Sequence, residues 1–175
     1  SDNSIVGTMP NASTLDTIKA INAAKEAWKE WAALTGKERS VFIRNWHNLI
    51  LENIDDLSLI MTLENGKPLG DSKGEIIYAS WFTDWFSEEA KRTYGKTIPS
   101  TIKGRRILTI KQPIGVCGII TPWNFPAAMI TRKVAPALAS GCPVVIKPAG
   151  TTPFTAAALV ELAKRAGIPK GIINL

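Results

Sequence analysis

Two short loops hold the polar groups of this 175-residue chain that are best suited to chemistry. The first, Thr121-Pro122-Trp123-Asn124-Phe125-Pro126, follows the apolar run Gly115–Ile120; the second, Lys147-Pro148-Ala149-Gly150-Thr151-Thr152-Pro153, follows Pro143–Ile146. Prolines near both ends of each loop fix the backbone and remove donors, so the polar groups between them are held in few conformations. Asn124 carries two N–H donors and a carbonyl on a short side chain, the equipment for stabilising a developing oxyanion or positioning a carbonyl. An equally direct reading has it satisfying backbone groups ahead of a helix whose first turn contains Pro126. Lys147, ending an apolar strand, can set an ammonium against a ribose hydroxyl or a phosphate, or simply extend its stem past the sheet edge into water. Neither residue alone identifies a reaction.

Other candidates are weaker. Neither Gly-x-Gly-x-x-Gly nor Gly-x-x-x-x-Gly-Lys-Ser/Thr follows the apolar runs, so a nucleotide would be held differently from the common phosphate loops. Cys117 and Cys142 lie within apolar strand-like runs and read as inert core thiols, because a reactive thiolate needs an electropositive, partly exposed place. His47, the one histidine, sits among aliphatics on a helix and reads as a satisfied structural residue.

The elements around the loops alternate. An apolar strand at Val116–Thr121, a helix from about Pro126 to Ser140, a strand at Pro143–Lys147, a helix from about Pro153 to Ala166 and a final apolar Gly171–Leu175 describe a parallel sheet with crossover helices, covered on both faces. Thr152 fits an N-cap, Pro153 the first helical position and Gly167 the helix end. In such open sheets ligands bind beyond the carboxyl ends of the strands, where both loops lie. Upstream, the chain is helical. Capping-box patterns at Ser13/Asp16 and Thr35/Glu38 start two helices, with Ile21, Ala24, Trp28 and Trp31 on one stripe and Phe42, Trp46, Leu49 and Ile50 on another. A third helix through Leu57, Ile60 and Met61 stops at Asn65-Gly66. A fourth, about Ser72–Arg92, carries Ile77, Trp81 and Trp85 on one face with Phe82 and Phe86 on the next, and is expected to be covered on more than one side. Between the two parts, Arg105–Gln112 alternates like a strand before Pro113 and Gly115 break it.

Composition and charge set the remaining bounds. A hydrophobic content of 45% supports a real core. Neither a membrane-spanning run nor a signal peptide is legible, and two cysteines without metal or disulfide spacing point to a reducing compartment. Residues 1–90 carry 8 Lys/Arg against 14 Asp/Glu, net −6; residues 91–175 carry 13 against Glu161 alone, net +12. The basic residues are scattered among apolar ones, which suits a phosphate-bearing cofactor or a carboxylate substrate better than nucleic acid.

The loops Ile120–Pro126 and Ile146–Pro153, with Ala127–Val145 between them, closely resemble the aldehyde dehydrogenase superfamily. Within it, Leu63–Ser100, Lys111–Val116 and above all Pro122–Lys133 resemble the succinate-semialdehyde dehydrogenase branch, with glutarate-semialdehyde dehydrogenases sharing much of the pattern. The resemblance implies an α/β fold: a helical N-terminal part of the cofactor domain (1–98), a strand of an oligomerisation hairpin (99–113), and the first half of a doubly wound, Rossmann-like sheet (114–175). It implies that the chain is truncated, with the catalytic domain, its nucleophilic cysteine and its base glutamate absent.

Residue by residue, the resemblance assigns Asn124 as the oxyanion-hole asparagine. Thr121, Pro122, Trp123 and Asn124, together with Lys147, Pro148, Ala149 and Gly150, form the cofactor-binding positions. Arg132 matches the arginine that pairs with the substrate's distal carboxylate, a bidentate contact suited to an acid-bearing aldehyde. Many NAD-preferring relatives carry glutamate at the position of Gly150; its absence here favours NADP, with NAD as the alternative. The implied partners are a semialdehyde substrate and further copies of the chain, without nucleic acid, metal or membrane. The implied compartment is cytoplasm or mitochondrial matrix. A non-catalytic nucleotide-binding module is the alternative from another functional class.

Overall fold

The structure is a computed structural model and describes residues 4–175. Four helices come first: α1 (Thr14–Ala33), α2 (Gly36–Glu52), α3 (Ile54–Asn65) and α4 (Leu69–Glu89), followed by a 3-10 turn at Ala90–Arg92. Both expected capping boxes form. Asp16 N–H donates to Ser13 Oγ at 3.4 Å while Ser13 N–H donates to the Asp16 carboxylate at 3.0 Å, and Thr35 and Glu38 repeat the exchange at 3.3 and 2.7 Å. The backbone N–H that each carboxylate accepts, reinforced by the cap hydroxyl, holds both acids below their ordinary range. α3 ends at Gly66, whose φ of 79° is left-handed and strained for any residue with a side chain.

The tryptophans of the first half explain how the two halves join. Trp31 and Trp46 are fully buried, and their indole N–H groups donate to the carbonyls of Leu138 and Leu159 at 3.1 and 3.0 Å. Trp28 reaches Gly141 O at 3.1 Å and buried Arg39 donates through Nε to Ala139 O at 3.0 Å. Each donor thus finds an acceptor where its side chain leaves water, which offsets the cost of desolvating it.

α4 departs from the reading of its sequence. It begins at Leu69, directly after Pro68, three residues ahead of the expected start. It is covered on several sides by α2, α3 and by α5 (Ala128–Ala139), but through the face of Ser72, Glu75, Ile76, Ala79, Ser80, Thr83 and Ser87. Ile77, Trp81 and Trp85 are exposed, at 40%, 61% and 64%, and only Phe82 and Phe86 pack against the core. Small side chains let neighbouring helices approach closely, so the face that looks polar is the one buried.

The parallel sheet consists of β3 (Cys117–Ile120), β4 (Val144–Lys147) and β5 (Ile173–Asn174) in that spatial order, joined by α5 and by α6 (Phe154–Arg165). Cover on both faces is incomplete. Ile119 is buried whereas its neighbour Ile120 is 77% exposed, so the second face of β3 is open within this chain. An antiparallel hairpin of β1 (Lys96–Pro99) and β2 (Arg106–Thr109), with every residue exposed, stands apart from the sheet. Its first strand lies across the sequence division between residues 98 and 99. No helix among the described residues is long and apolar enough to cross a membrane.

Candidate active site

β3 and β4 bring the two loops to one edge. Ile120 is in register with Lys147, and the N–H of Thr121 donates to the Lys147 carbonyl at 3.2 Å, so both loops leave the sheet from adjacent positions. Thr121 is buried under this junction, while Pro122, Trp123 and Asn124 are exposed beyond it. The sheet topology alone therefore gathers the expected oxyanion and cofactor positions.

The first loop is held from outside by the turn between α3 and α4. Asn65 Nδ2 donates to the carbonyl of Trp123 at 2.9 Å, and Lys67 Nζ donates to the carbonyl of Asn124 at 3.1 Å. Lys67 also lies 4.6 Å from the Phe125 ring centroid and forms an ion pair with Glu75. The Glu75 side chain is 2% exposed. Its Oε1 accepts from the N–H of Ala127 at 2.9 Å and of Ala128 at 3.3 Å. One carboxylate thus closes the start of α5 and fixes the lysine that holds the loop before it. The sequence offered little signal for this. Asn65-Gly66 reads as a helix stop and Glu75 as one acid in a polar stretch, more than 50 positions from the groups they hold.

The second loop is held differently. Thr152 is not an N-cap, and Pro153 stands just outside the helix rather than in its first turn. Glu64 of α3 takes the capping role, accepting from Phe154 N–H at 2.6 Å and Thr155 N–H at 2.9 Å. A carboxylate supplies a stronger acceptor than a hydroxyl to a helix N-terminus, and the cap position falls on Pro153, one residue beyond Thr152. The hydroxyls of Thr152 and Thr155 are buried without hydrogen-bond partners. Lys147 is exposed, its Nζ 3.2 Å from the Pro148 carbonyl. A Cβ built on Gly150 meets no atom within 4 Å, and its φ lies outside the left-handed region, so neither packing nor backbone demands glycine there.

Arg132 projects from α5 into an aromatic cradle on α4. Its Nη2 donates to the Tyr78 hydroxyl at 2.7 Å, and its guanidinium carbon lies 4.8 Å from the Phe82 ring centroid and 5.5 Å from that of Tyr78. Tyr78 and Phe82, one helical turn apart, share a face of α4. The Nε of Arg132 is buried and without a partner. A guanidinium held over two rings keeps a fixed orientation, with the donors that Tyr78 does not take left over. Its charge, after burial, also holds neighbouring Lys133 below its ordinary range.

The thiols take no part in this arrangement. Both cysteines are free; Cys142 is buried, and burial followed by the proximity of Cys142 pushes the Cys117 thiol up, away from thiolate at neutral pH. His47 bridges helices through Nδ1, 3.0 Å from the Ser80 carbonyl.

Comparison with known proteins places the chain and its fold. The chain is 58% identical over 171 residues to the glutarate-semialdehyde dehydrogenase of Pseudomonas putida, covering 98% of this chain and 36% of that protein. It is 57% identical over 170 residues to the NADP(+) succinate-semialdehyde dehydrogenase GabD of Escherichia coli, covering 97% and 35%. The crystal structure of a succinate-semialdehyde dehydrogenase from Burkholderia pseudomallei superimposes with a TM-score of 0.95 at 55% identity, over 96% of this chain and 35% of that one. The chain therefore spans about a third of the length of these relatives. It matches the aldehyde dehydrogenase family over residues 1–175, and it belongs to that family of oxidoreductases.

Proposed function

We propose that this chain forms the cofactor-binding and oxyanion-bearing part of an NAD(P)-dependent dehydrogenase that oxidises succinate semialdehyde to succinate. The observation that carries the substrate class is Arg132. Its cradled guanidinium lies on α5, which begins four residues after Asn124, so one short segment carries both the anion-binding and the oxyanion-binding group that a molecule with an acid at one end and an aldehyde at the other would need. Asn124 supplies side-chain N–H to the oxygen that gains charge when the aldehyde is attacked, the step at which such a donor contributes most. The attacking thiolate and the base that activates water come from sequence outside these 175 residues.

The residues of the second loop fit the adenosine end of a dinucleotide. Lys147 and the backbone of Pro148, Ala149 and Gly150 form an open, polar edge, and Thr121, Pro122, Trp123 and Asn124 border it from the first loop. Glu64 occupies the N-terminus of α6, so the phosphates are not seated there. When bound, the nicotinamide accepts a hydride from the substrate carbon. Lys147 offers its ammonium to ribose hydroxyls or to a 2′-phosphate, and Gly150 leaves that phosphate without a facing carboxylate. NADP is accordingly the preferred cofactor.

Glutarate semialdehyde is a second reading, supported by the 58% identity to the P. putida enzyme. Self-association through the exposed β1–β2 hairpin and a cytoplasmic setting, consistent with two free thiols, complete the proposal. Initial rates of the full-length protein with succinate semialdehyde, glutarate semialdehyde and butanal, each with NADP and NAD, test it. The reading requires the highest kcat/KM with succinate semialdehyde and NADP; preference for butanal overturns the substrate class.

A further inference from the structure

The geometry points to Asn65, Lys67 and Glu75 as positioning residues that set the orientation of the Asn124 side chain. This rests on the oxyanion role given to Asn124 above.

The φ and ψ of a residue set the direction of its Cα–Cβ bond and restrict its side-chain rotamers, and they are fixed when the peptide planes on either side are fixed. Both planes flanking Asn124 are held by side chains from the α3–α4 turn. The carbonyl of Trp123 accepts from Asn65, and the carbonyl of Asn124 accepts from Lys67. Lys67 is in turn held by Glu75, whose other oxygen holds the N–H groups of Ala127 and Ala128 downstream. The loop is thus fixed before, at and after Asn124 by three side chains within 11 positions of one another. Gly66, in the left-handed conformation, makes the turn that lets residues 65 and 67 face the same loop. With Glu75 2% exposed and the Lys67 side chain 16% exposed, the pair sits in low dielectric, where a charge-assisted bond is strong and water competes little. The Asn124 side chain itself is left exposed and free to meet a substrate oxygen.

The test is a double-mutant cycle in the full-length enzyme, read as the single-turnover rate of NADPH formation. Asn65→Ala is expected to lower that rate roughly tenfold, and Lys67→Met combined with Glu75→Gln, which removes both charges while keeping an acceptor for Ala127 and Ala128, about 10²-fold, the scale of a misplaced catalytic group. NADP affinity, measured by fluorescence titration, falls by a smaller factor than the rate, because the Lys147–Gly150 side of the cofactor edge keeps its own contacts. On an Asn124→Ala background the same changes lose most of their effect, because there is no amide left to aim. Full additivity with Asn124→Ala overturns the positioning role. If Asn124→Ala alone leaves the rate unchanged, the oxyanion reading fails instead, and the two failures are distinguishable. Should the charge-free pair not fold, Asn65→Ala against Asn124→Ala decides the matter by itself.

Discussion

The two loops at the sheet edge share a design in sequence and differ in how they are held. Thr121–Pro126 is tied to Asn65, Lys67 and Glu75 through carbonyls and N–H groups on both sides of Asn124. Lys147–Pro153 is tied by the Thr121 N–H where it leaves β4 and by Glu64 where α6 begins, and between them Gly150 faces open space while the Lys147 ammonium reaches no further than the next carbonyl. A group that must meet charge developing on one atom gains from a fixed backbone. A surface that meets a large cofactor through several weak contacts does not need the same fixity, and there a single side chain can change which cofactor is chosen. Under the proposed function, the contrast suits catalysis to the held loop and cofactor selection to the open one.

The largest effect expected is on the held loop. Asn124→Ala in the full-length enzyme lowers turnover by roughly 10² to 10³, the usual consequence of removing one oxyanion donor, in single-turnover measurements. On the open loop, Gly150→Glu introduces a carboxylate that fits without collision. It lowers the NADP-to-NAD ratio of kcat/KM at least about tenfold, since facing like charges cost more than the roughly 1.4 kcal/mol that a factor of ten represents. Turnover at saturating NAD stays near the wild-type value, so a large loss there would blur the division between the loops. Smaller again, Glu64→Ala leaves the N–H groups of Phe154 and Thr155 without their acceptor and destabilises the fold by about 1–2 kcal/mol in denaturant titration.

The smallest effect lies at the α2 cap, far from either loop. Glu38 is held below its ordinary value of 4.5 by the Thr35 N–H and hydroxyl. A carboxylate whose folded value is depressed contributes stability that is fully present above the unfolded value and is lost as pH falls through the folded one. Thermal melts of Glu38→Gln are therefore lower than wild type at neutral pH, and the two converge as the pH is taken progressively below 4.5. Convergence at higher pH, or none, contradicts the cap's electrostatics.

What the sequence revealed follows from the range of the signals. Capping boxes at Ser13 and Thr35 and the stop at Gly66 depend on residues three or four apart, and all form as expected. The β3–α5–β4–α6–β5 order is legible because apolar strands alternate with helix-length segments between proline and glycine breaks. α4 misleads because polarity stands in for burial in such readings. Its packed face consists largely of Ser, Thr and Ala with one buried Glu, while Trp81 and Trp85 face outward. Thr152 misleads because a local cap is expected wherever a threonine precedes a helix, and nothing nearby announces Glu64. The Asn65–Lys67–Glu75 group and the Tyr78–Phe82 cradle are long-range constructions, visible only once α3 and α4 lie against the start of α5.

Binding of an acid-bearing aldehyde through the cradled guanidinium meets its sharpest test in Arg132→Ala. Steady-state kcat/KM for succinate semialdehyde and for butanal, which lacks only the distal acid, are compared in the wild-type and variant full-length enzymes. Loss of a charge-assisted bidentate contact predicts a fall of roughly 10² with succinate semialdehyde and little change with butanal, so the preference for the acid collapses. An unchanged ratio of the two substrates contradicts the claim.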